Sequence, residues 1–291
     1  MISGGLALNK PAGLTSAQIG NILKPLFECP KTGHIGTLDP NATGVLIMML
    51  GNATKVIPYV PEQPKTYIAG FRLGLTSDTY DIWGKLSEHG YSGDVPKDMI
   101  SSVMEEFTGK IDQLPPMFSA KKIDGVRLYK LAYDGIELPR KPSRIEIFRL
   151  DLLSYDEKAG EGTFLLECSK GTYVRSLISD IGMSCGCGAV MTSLIRTRDM
   201  GFNVDDCVTL EQIKESPDRQ SLLIPMHKFI SHIPQVELSD IQANRIKFGN
   251  NANFQGFPAP SGTVRLNWHD ELYAIGKLVN STGEIIPERL I

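Results

Sequence analysis

Cysteine is scarce: five residues, an odd number, scattered through 291. That excludes a disulfide-stapled framework and fits reduced thiols in a reducing compartment. Cys185 and Cys187 form the one close pair, but no second pair at zinc-finger spacing and no nearby His accompanies them. They are read as small buried residues around a Gly-rich turn. Long apolar runs are missing as well. The longest, residues 45–50, falls far short of the roughly 20 residues that a membrane-spanning helix requires. The N-terminus lacks a basic stretch followed by an apolar segment, so it does not read as a secretion signal. The expectation is a cytoplasmic chain with no membrane partner. Basic excess is also absent. A net charge of −3 and a pI near 6.0 exclude nucleic-acid binding driven by global charge.

What is present is an ordinary globular composition, 42% hydrophobic and 22% charged, with length enough for a large mixed domain plus a small one. One segment departs from the acidic balance. Residues 110–149 carry nine basic side chains against five acidic ones, a local excess of +4.

Residues 6–9 have strand character and run into a Lys-Pro-Ala-Gly turn, then a helix. Thr15 or Ser16 is its N-cap, and Ile19, Ile22, Leu23 and Leu26 recur at helical spacing. Residues 31–44, KTGHIGTLDPNATG, are rich in Gly, Thr and Asn and contain a Pro, which predicts a loop throughout. The apolar run VLIMML follows it. Strand composition marks 66–73, 144–153 and 163–168. Helical spacing marks 97–107, 173–183 and 210–215, the last opened by Thr209 with Gln212 in capping-box position. Strands and helices interleave without regular alternation, which predicts an α+β fold. From about residues 230–236 the chain shifts to short strand-like pieces (263–266, 272–278, 284–287), a small β-rich unit. The expected division is 1–230 and 231–291.

The stretch GHIGTLDPNATG places one carboxylate, Asp39, five residues after His34. Pro40 stiffens the backbone behind it, and Gly33, Gly36 and Gly44 allow sharp turns or close approach. From the residues alone two readings stand: a rigidly presented carboxylate, or an Asp-Pro-Asn surface turn.

The residues carry more than their spacing does. GHIGTLDPNATGVL (33–46) resembles the signature of the TruB family of pseudouridine synthases, in which a Gly-His-x-Gly-Thr-Leu-Asp-Pro-x-Ala-x-Gly stretch bears the catalytic aspartate. LNKPAGLTS (8–16) resembles the family's N-terminal Lys-Pro motif, and KTYIAGFRLGLTSDTYDIWG (65–84) its second motif. PPMFSAKKIDGVRLYKLAYDG (115–135) is similar to its RNA-gripping insertion, here about 112–142, and CSKGTYVRSLISDIG (168–182) to its third motif. The resemblance runs in order from about residue 4 to 200.

The resemblance implies a mixed, mostly antiparallel sheet, followed by a reduced PUA-like unit, which the segment VELSDIQANRIKFGN and the pieces after it resemble more weakly. It also implies isomerisation of uridine 55 in the T-loop of tRNA, by base flipping and attack of Asp39 on the ribose or the uracil ring. By resemblance, Tyr67 stacks on the flipped base and is a candidate proton acceptor. Arg175 pairs with the nucleophile, since an adjacent cation orients a carboxylate and favours its charged form. Tyr173 and Leu194 line the base pocket, and His34 enters the space that the flipped nucleotide leaves. Lys121, Lys122, Arg127 and Lys130, interleaved with Tyr129 and Tyr133, follow RNA phosphates. Such chemistry needs no metal and no redox cofactor, and none is expected. Ile35 and Asn41 depart from the residues that many relatives carry, Thr and Leu.

Two alternatives share these residues. One is a tRNA-binding folding chaperone with weak or no catalysis, disfavoured because a mere binder of anionic RNA has no use for Asp39. The other is an RNA-guided synthase within a ribonucleoprotein, disfavoured by the short C-terminal part. The expectation is a monomer acting on the tRNA elbow with no obligate protein partner.

Overall fold

The computed structural model describes residues 2–89, 95–119, 121–123, 125–254 and 261–291, with Lys122 described by its backbone alone. The chain opens with β1 (Gly4–Lys10) and α1 (Ser16–Leu26). Thr15 caps the helix: its hydroxyl accepts from the Gln18 N–H at 3.1 Å while the Gln18 side chain accepts from the Thr15 N–H at 2.8 Å. This reciprocal box satisfies two donors that a helix start leaves free. Ile19 and Leu23 are fully buried and Ile22 and Leu26 partly so, as the spacing predicts.

The next segment corrects the expectation of a continuous loop. Thr32–Ile35 forms β2 and pairs antiparallel with β3 (Thr43–Leu50), so only Lys31 and residues 36–42 of that segment lie outside regular structure. The composition of β2 is poor for a strand, but pairing with an apolar neighbour satisfies its backbone groups and overrides propensity. The continuous apolar run of β3 has a plain cause. Leu46, Met48 and Leu50 enter a core with Ile19, Leu23, Leu177 and Ile178, while Val45, Ile47 and Met49 enter a second core with Phe229, Ile230 and Ile233 on the other face. Burying each such side chain contributes about 1.5–3 kcal/mol.

A 3-10 helix (Gly51–Tyr59) leads to β4 (Lys65–Leu73) and a hairpin of β5 (Leu75–Ser77) and β6 (Leu86–Glu88). Then come α2 (Lys97–Glu106) and β7 (Gly109–Gln113). The insertion holds the small hairpin β8 (Lys122–Ile123) and β9 (Val126–Arg127) with α3 (Leu128–Tyr133). The body is completed by β10 (Ser143–Asp156), β11 (Glu161–Cys168), α4 (Val174–Ser184), β12 (Ala189–Asp199), β13 (Phe202–Asn203) and α5 (Leu210–Glu215). Among the described residues the sheet order is β1-β3-β12-β4-β11-β10-β7, with β2 also on β3 and β13 on β12. Every pairing is antiparallel except β3 with β12, which meet in parallel at Thr43↔Ile195 and Gly44↔Arg196. At this crossing Gly44 has φ +98, and a Cβ there would collide with the Arg196 carbonyl, so the position requires glycine.

After a 3-10 helix (Met226–Ile230), β14 (Gln235–Glu237), α6 (Asp240–Lys247), β15 (Ala252–Asn253), β16 (Gly262–Trp268), β17 (Glu271–Val279) and β18 (Glu284–Leu290) follow. Their sheet, in the order β14-β16-β17-β18-β15, has its own core around Val236, Leu266 and Ile285. The fold is therefore mixed α+β and mostly antiparallel, with a β-rich C-terminal part. Cys185 and Cys187 lie buried beside the Gly186 and Gly188 turn positions, and burial pushes the Cys185 thiol up to about 11. Among the described residues no helix is long and apolar enough to cross a membrane.

Candidate active site

Asp39 sits in the middle of the short connection between β2 and β3, and several parts of the chain pin that connection. Lys10, fully buried at the end of β1, donates to the carbonyls of Pro40 at 2.8 Å, Pro11 at 2.8 Å and Leu14 at 2.6 Å. Gly13 N–H also donates to the Pro40 carbonyl at 2.9 Å. Ser16, the first residue of α1, bonds Leu38 twice: its hydroxyl accepts from the Leu38 N–H at 3.0 Å and donates to the Leu38 carbonyl at 3.2 Å. Arg196, fully buried on β12, donates to the Gly36 carbonyl at 2.9 Å and the Val45 carbonyl at 2.7 Å, bracketing the loop. Segment 8–16 is therefore the cradle of the loop that carries Asp39. Burial drives the Lys10 ammonium down from its ordinary 10.5 to about 8, against the opposing pull of Asp39.

The Asp39 carboxylate is left reachable, its side chain 39% exposed, while its partner is hidden. Arg175, 5% exposed on the first turn of α4, approaches Asp39 Oδ2 with Nε at 2.8 Å and donates from Nη2 to Oδ1 at 3.3 Å. This two-pronged geometry fixes the plane of the carboxylate. The same guanidinium donates to the carbonyls of Thr79 at 2.7 Å and Phe118 at 3.0 Å and lies 3.8 Å from the Asp81 carboxylate. It thus joins the nucleophile candidate to the β5–β6 connection and to the root of the insertion. Tyr173, just before α4, is held by its backbone: Gln113, 2% exposed, accepts from its N–H at 2.8 Å and donates to its carbonyl at 3.0 Å. Burial raises the Tyr173 phenol, with Asp39 close enough to add to the effect.

Tyr67 and Leu194 are both buried at 7% exposure, on the adjacent strands β4 and β12. Burial pushes the Tyr67 hydroxyl up to about 12, against the opposing pull of the Arg196 cation. Near neutral pH it is a neutral phenol, whose ring can stack and whose hydroxyl can donate or accept a hydrogen bond. His34 lies on β2 with Nε2 3.2 Å from the Thr37 hydroxyl, and burial lowers its imidazole, assisted by Arg196 and Arg127.

In the insertion, Arg140 clamps the base through the Pro115 carbonyl at 2.9 Å and Glu137 at 2.9 Å. Phe118 and Tyr129 both pack edge-on against Tyr133, which is 77% exposed. Lys121 donates to Ser143 at 2.8 Å, so it ties the insertion to β10 rather than standing free. Arg127 lies 3.5 Å from the Tyr129 hydroxyl and Lys130 is exposed. The Lys122 side chain lies outside the described residues.

Sequence reasoning singled out Asp39, Arg175, Tyr67, Tyr173, Leu194 and His34 but not Asp81, Gln113, Arg196, Lys65 or Asp199. The last three meet under the loop. Lys65 Nζ stands 3.6 Å and Arg196 Nε 3.4 Å from the Asp199 carboxylate, all buried. The signal available in the sequence was faint: a charged residue at an inward-facing strand position, as in Lys65 and Arg196.

The mixed, mostly antiparallel fold is of the pseudouridylate synthase class, and it sets a reachable carboxylate beside a buried arginine. A family model described as "TruB family pseudouridylate synthase (N terminal domain)" matches residues 24–174, and one described as "tRNA pseudouridylate synthase B C-terminal domain" matches residues 175–230. The chain belongs to the TruB family. It is 37% identical to the tRNA pseudouridine synthase B of Aquifex aeolicus over 290 residues, covering 100% of each chain. It is 39% identical to that of Lactobacillus delbrueckii subsp. bulgaricus over 282 residues, 94% of each. Among solved structures it is similar to the archaeal box H/ACA sRNP Nop10-Cbf5 complex, with a TM-score of 0.68 and 28% identity over 99% of this chain and 85% of that one. An H/ACA RNP bound to a substrate RNA containing 2'-deoxyuridine gives a TM-score of 0.68 at 26% identity, over 99% and 84%.

Proposed function

We infer that this chain isomerises uridine to pseudouridine in tRNA, at position 55 of the T-loop, with Asp39 as nucleophile. The observation that carries the reading is the two-pronged Arg175–Asp39 pair on a loop anchored from several sides, with one carboxylate edge open to a substrate. The reaction is an isomerisation. The bond from ribose C1′ to uracil N1 breaks, the base turns, a bond from C1′ to C5 forms, and the C5 proton is released while N1 regains one. A preset carboxylate assists by attacking the ribose or the ring, and a fixed nucleophile lowers the barrier by removing the entropy of alignment.

The uridine leaves its stack to reach Asp39. Tyr67, Tyr173 and Leu194 surround it, and Tyr67 as a neutral phenol packs against the base. His34 fills the vacated space. The insertion supplies Arg127 and Lys130 for phosphates, with Lys122 beside them, and exposed Tyr133 as an aromatic face. Lys121 contributes through its tie to Ser143. Residues 1–230 are assigned to catalysis, and residues 231–291 are proposed as a reduced PUA-like RNA-binding unit. The chain is proposed to act as a monomer, and five free cysteines support a cytoplasmic setting.

The test is release of tritium from a tRNA transcript carrying C5-tritiated uridine. Wild-type protein should release about one equivalent per tRNA, and Asp39→Asn none, with tRNA affinity changed less than about threefold because size and shape are preserved. Tight tRNA binding without release by the wild type would move the assignment to an RNA-folding chaperone.

A further inference from the structure

The charges buried beneath the loop touch neither Asp39 nor the proposed base pocket directly, except through Tyr67. Asp199 ends β12 at 1% exposure, and its carboxylate faces Lys65 at 3.6 Å and Arg196 at 3.4 Å. Both separations are ion-pair distances, longer than hydrogen bonds, so the carboxylate works as counter-charge rather than as a directional partner. A charge buried in this way is costly to fold around. The cations beside it have a definite task. Arg196 holds the carbonyls of Gly36 and Val45 at the two ends of the loop. Lys65 packs against the same Gly36, where an added Cβ would come within 2.9 Å of Lys65 Nζ and 3.2 Å of Arg196 Nη1. Two cations thus share one small space under Gly36, and Lys10 lies within electrostatic reach of Arg196.

We propose that Asp199 is a positioning residue for the reaction: as the buried counter-charge of Lys65 and Arg196, it keeps both cations packed under Gly36 and so fixes the loop that presents Asp39. The proposal rests on Asp39 being the nucleophile. Without Asp199 the cations repel each other, and the softest response is for Arg196 to withdraw from one of its two carbonyls. The other groups around the pair are Tyr67 on β4, Cys168 on β11 and, toward the surface, Glu62. Burial lowers the Lys65 ammonium and Asp199 raises it, so removing Asp199 lets Lys65 lose its proton at lower pH.

The experiment compares Asp199→Asn and Asp199→Glu with the wild type in three measurements: single-turnover tritium release, tRNA affinity, and amide hydrogen exchange over residues 36–45. Asp199→Asn should slow release by about tenfold or more at neutral pH with affinity within about threefold, the pattern of a misplaced nucleophile. Its deficit relative to wild type should shrink as pH rises and Lys65 becomes neutral. Exchange should quicken in 36–45 and stay unchanged in α4. Asp199→Glu should stay within about threefold of wild type. Rates within twofold for Asp199→Asn, or equal losses in both variants, overturn the proposal. If Asp199→Asn does not fold, Asp199→Glu decides alone, since a loss of about tenfold there means that shape rather than charge is what matters. Hydrogen exchange needs no turnover. If the wild type forms no pseudouridine, the functional reading fails, while unchanged exchange at 36–45 in Asp199→Asn still overturns the positioning role separately.

Discussion

Lys10 has three ammonium hydrogens and three carbonyl acceptors, those of Pro11, Leu14 and Pro40. Deprotonation leaves two donors for three acceptors, and the loop loses a tether. Because burial lowers this group from 10.5 to about 8, the loss occurs near the working range. The sign for stability is opposite. Below about 8 both the folded and the unfolded chain hold the proton, and the cost of burying the charge is fully felt; between about 8 and 10.5 the unfolded chain binds a proton that the folded chain has released, so stability rises with pH across that window. The expected outcome is a single-turnover rate that falls as pH passes about 8 while thermal stability shows no matching drop. Lys10→Met should be slow throughout and lack that limb. A wild-type profile that stays flat well above this pH would count against Lys10 as the tether. Asp39, Tyr67 and Arg175 were legible because the motifs around them are specific. Asp81 and Arg196 were not, because a buried charge and a solvated one are the same letter until the strands around them are placed.

At the level of elements, the loop depends on the crossing of β3 and β12, where Gly44 lies against the Arg196 backbone. A methyl group there meets a carbonyl that cannot swing aside and also strains a positive φ of +98. Gly44→Ala should therefore destabilise the fold by about 2 kcal/mol or more, read as a lower midpoint in thermal or denaturant unfolding, and should lower the turnover of whatever remains folded. Unchanged stability would mean that the crossing is looser than it looks. Local chemistry made the helices readable: Thr15 or Ser16 as N-cap, and Thr209 with Gln212, announce their starts, and the structure closes a capping box at Thr15 and at Thr209. β2 was hidden because its Gly, Thr and His have little strand preference and its order comes from β3. The pattern of β12, AVMTSLIRTRD, turns Arg196 and Asp199 inward and leaves Ile195 exposed, so its place beside β4 was invisible without the non-local pairing.

On the scale of the whole molecule, net charge is −3, yet the proposed substrate is a polyanion. Attraction must come from the insertion and be opposed elsewhere, which makes binding sensitive to a few cations. Arg127→Ala and Lys130→Ala should each weaken tRNA binding and reduce the slope of log affinity against log salt by about one contact's worth, with the rate from saturated complex little changed. Slopes equal to wild type would place the phosphates elsewhere. The strand-like pieces after residue 231 were legible in composition, and they form a sheet of their own. Its attachment was not: Ile275 of β17 is buried in the same core as Val45, Ile47 and Met49 of β3. The anchoring of the loop also bears on how the protein comes into being. Its fasteners are drawn from residues 10, 13, 16, 175 and 196, so a ribosome that has made the first 170 residues has made the aspartate and its cradle but neither arginine. A chain that stops short of residue 175 therefore carries the aspartate without either arginine that sets it and its loop.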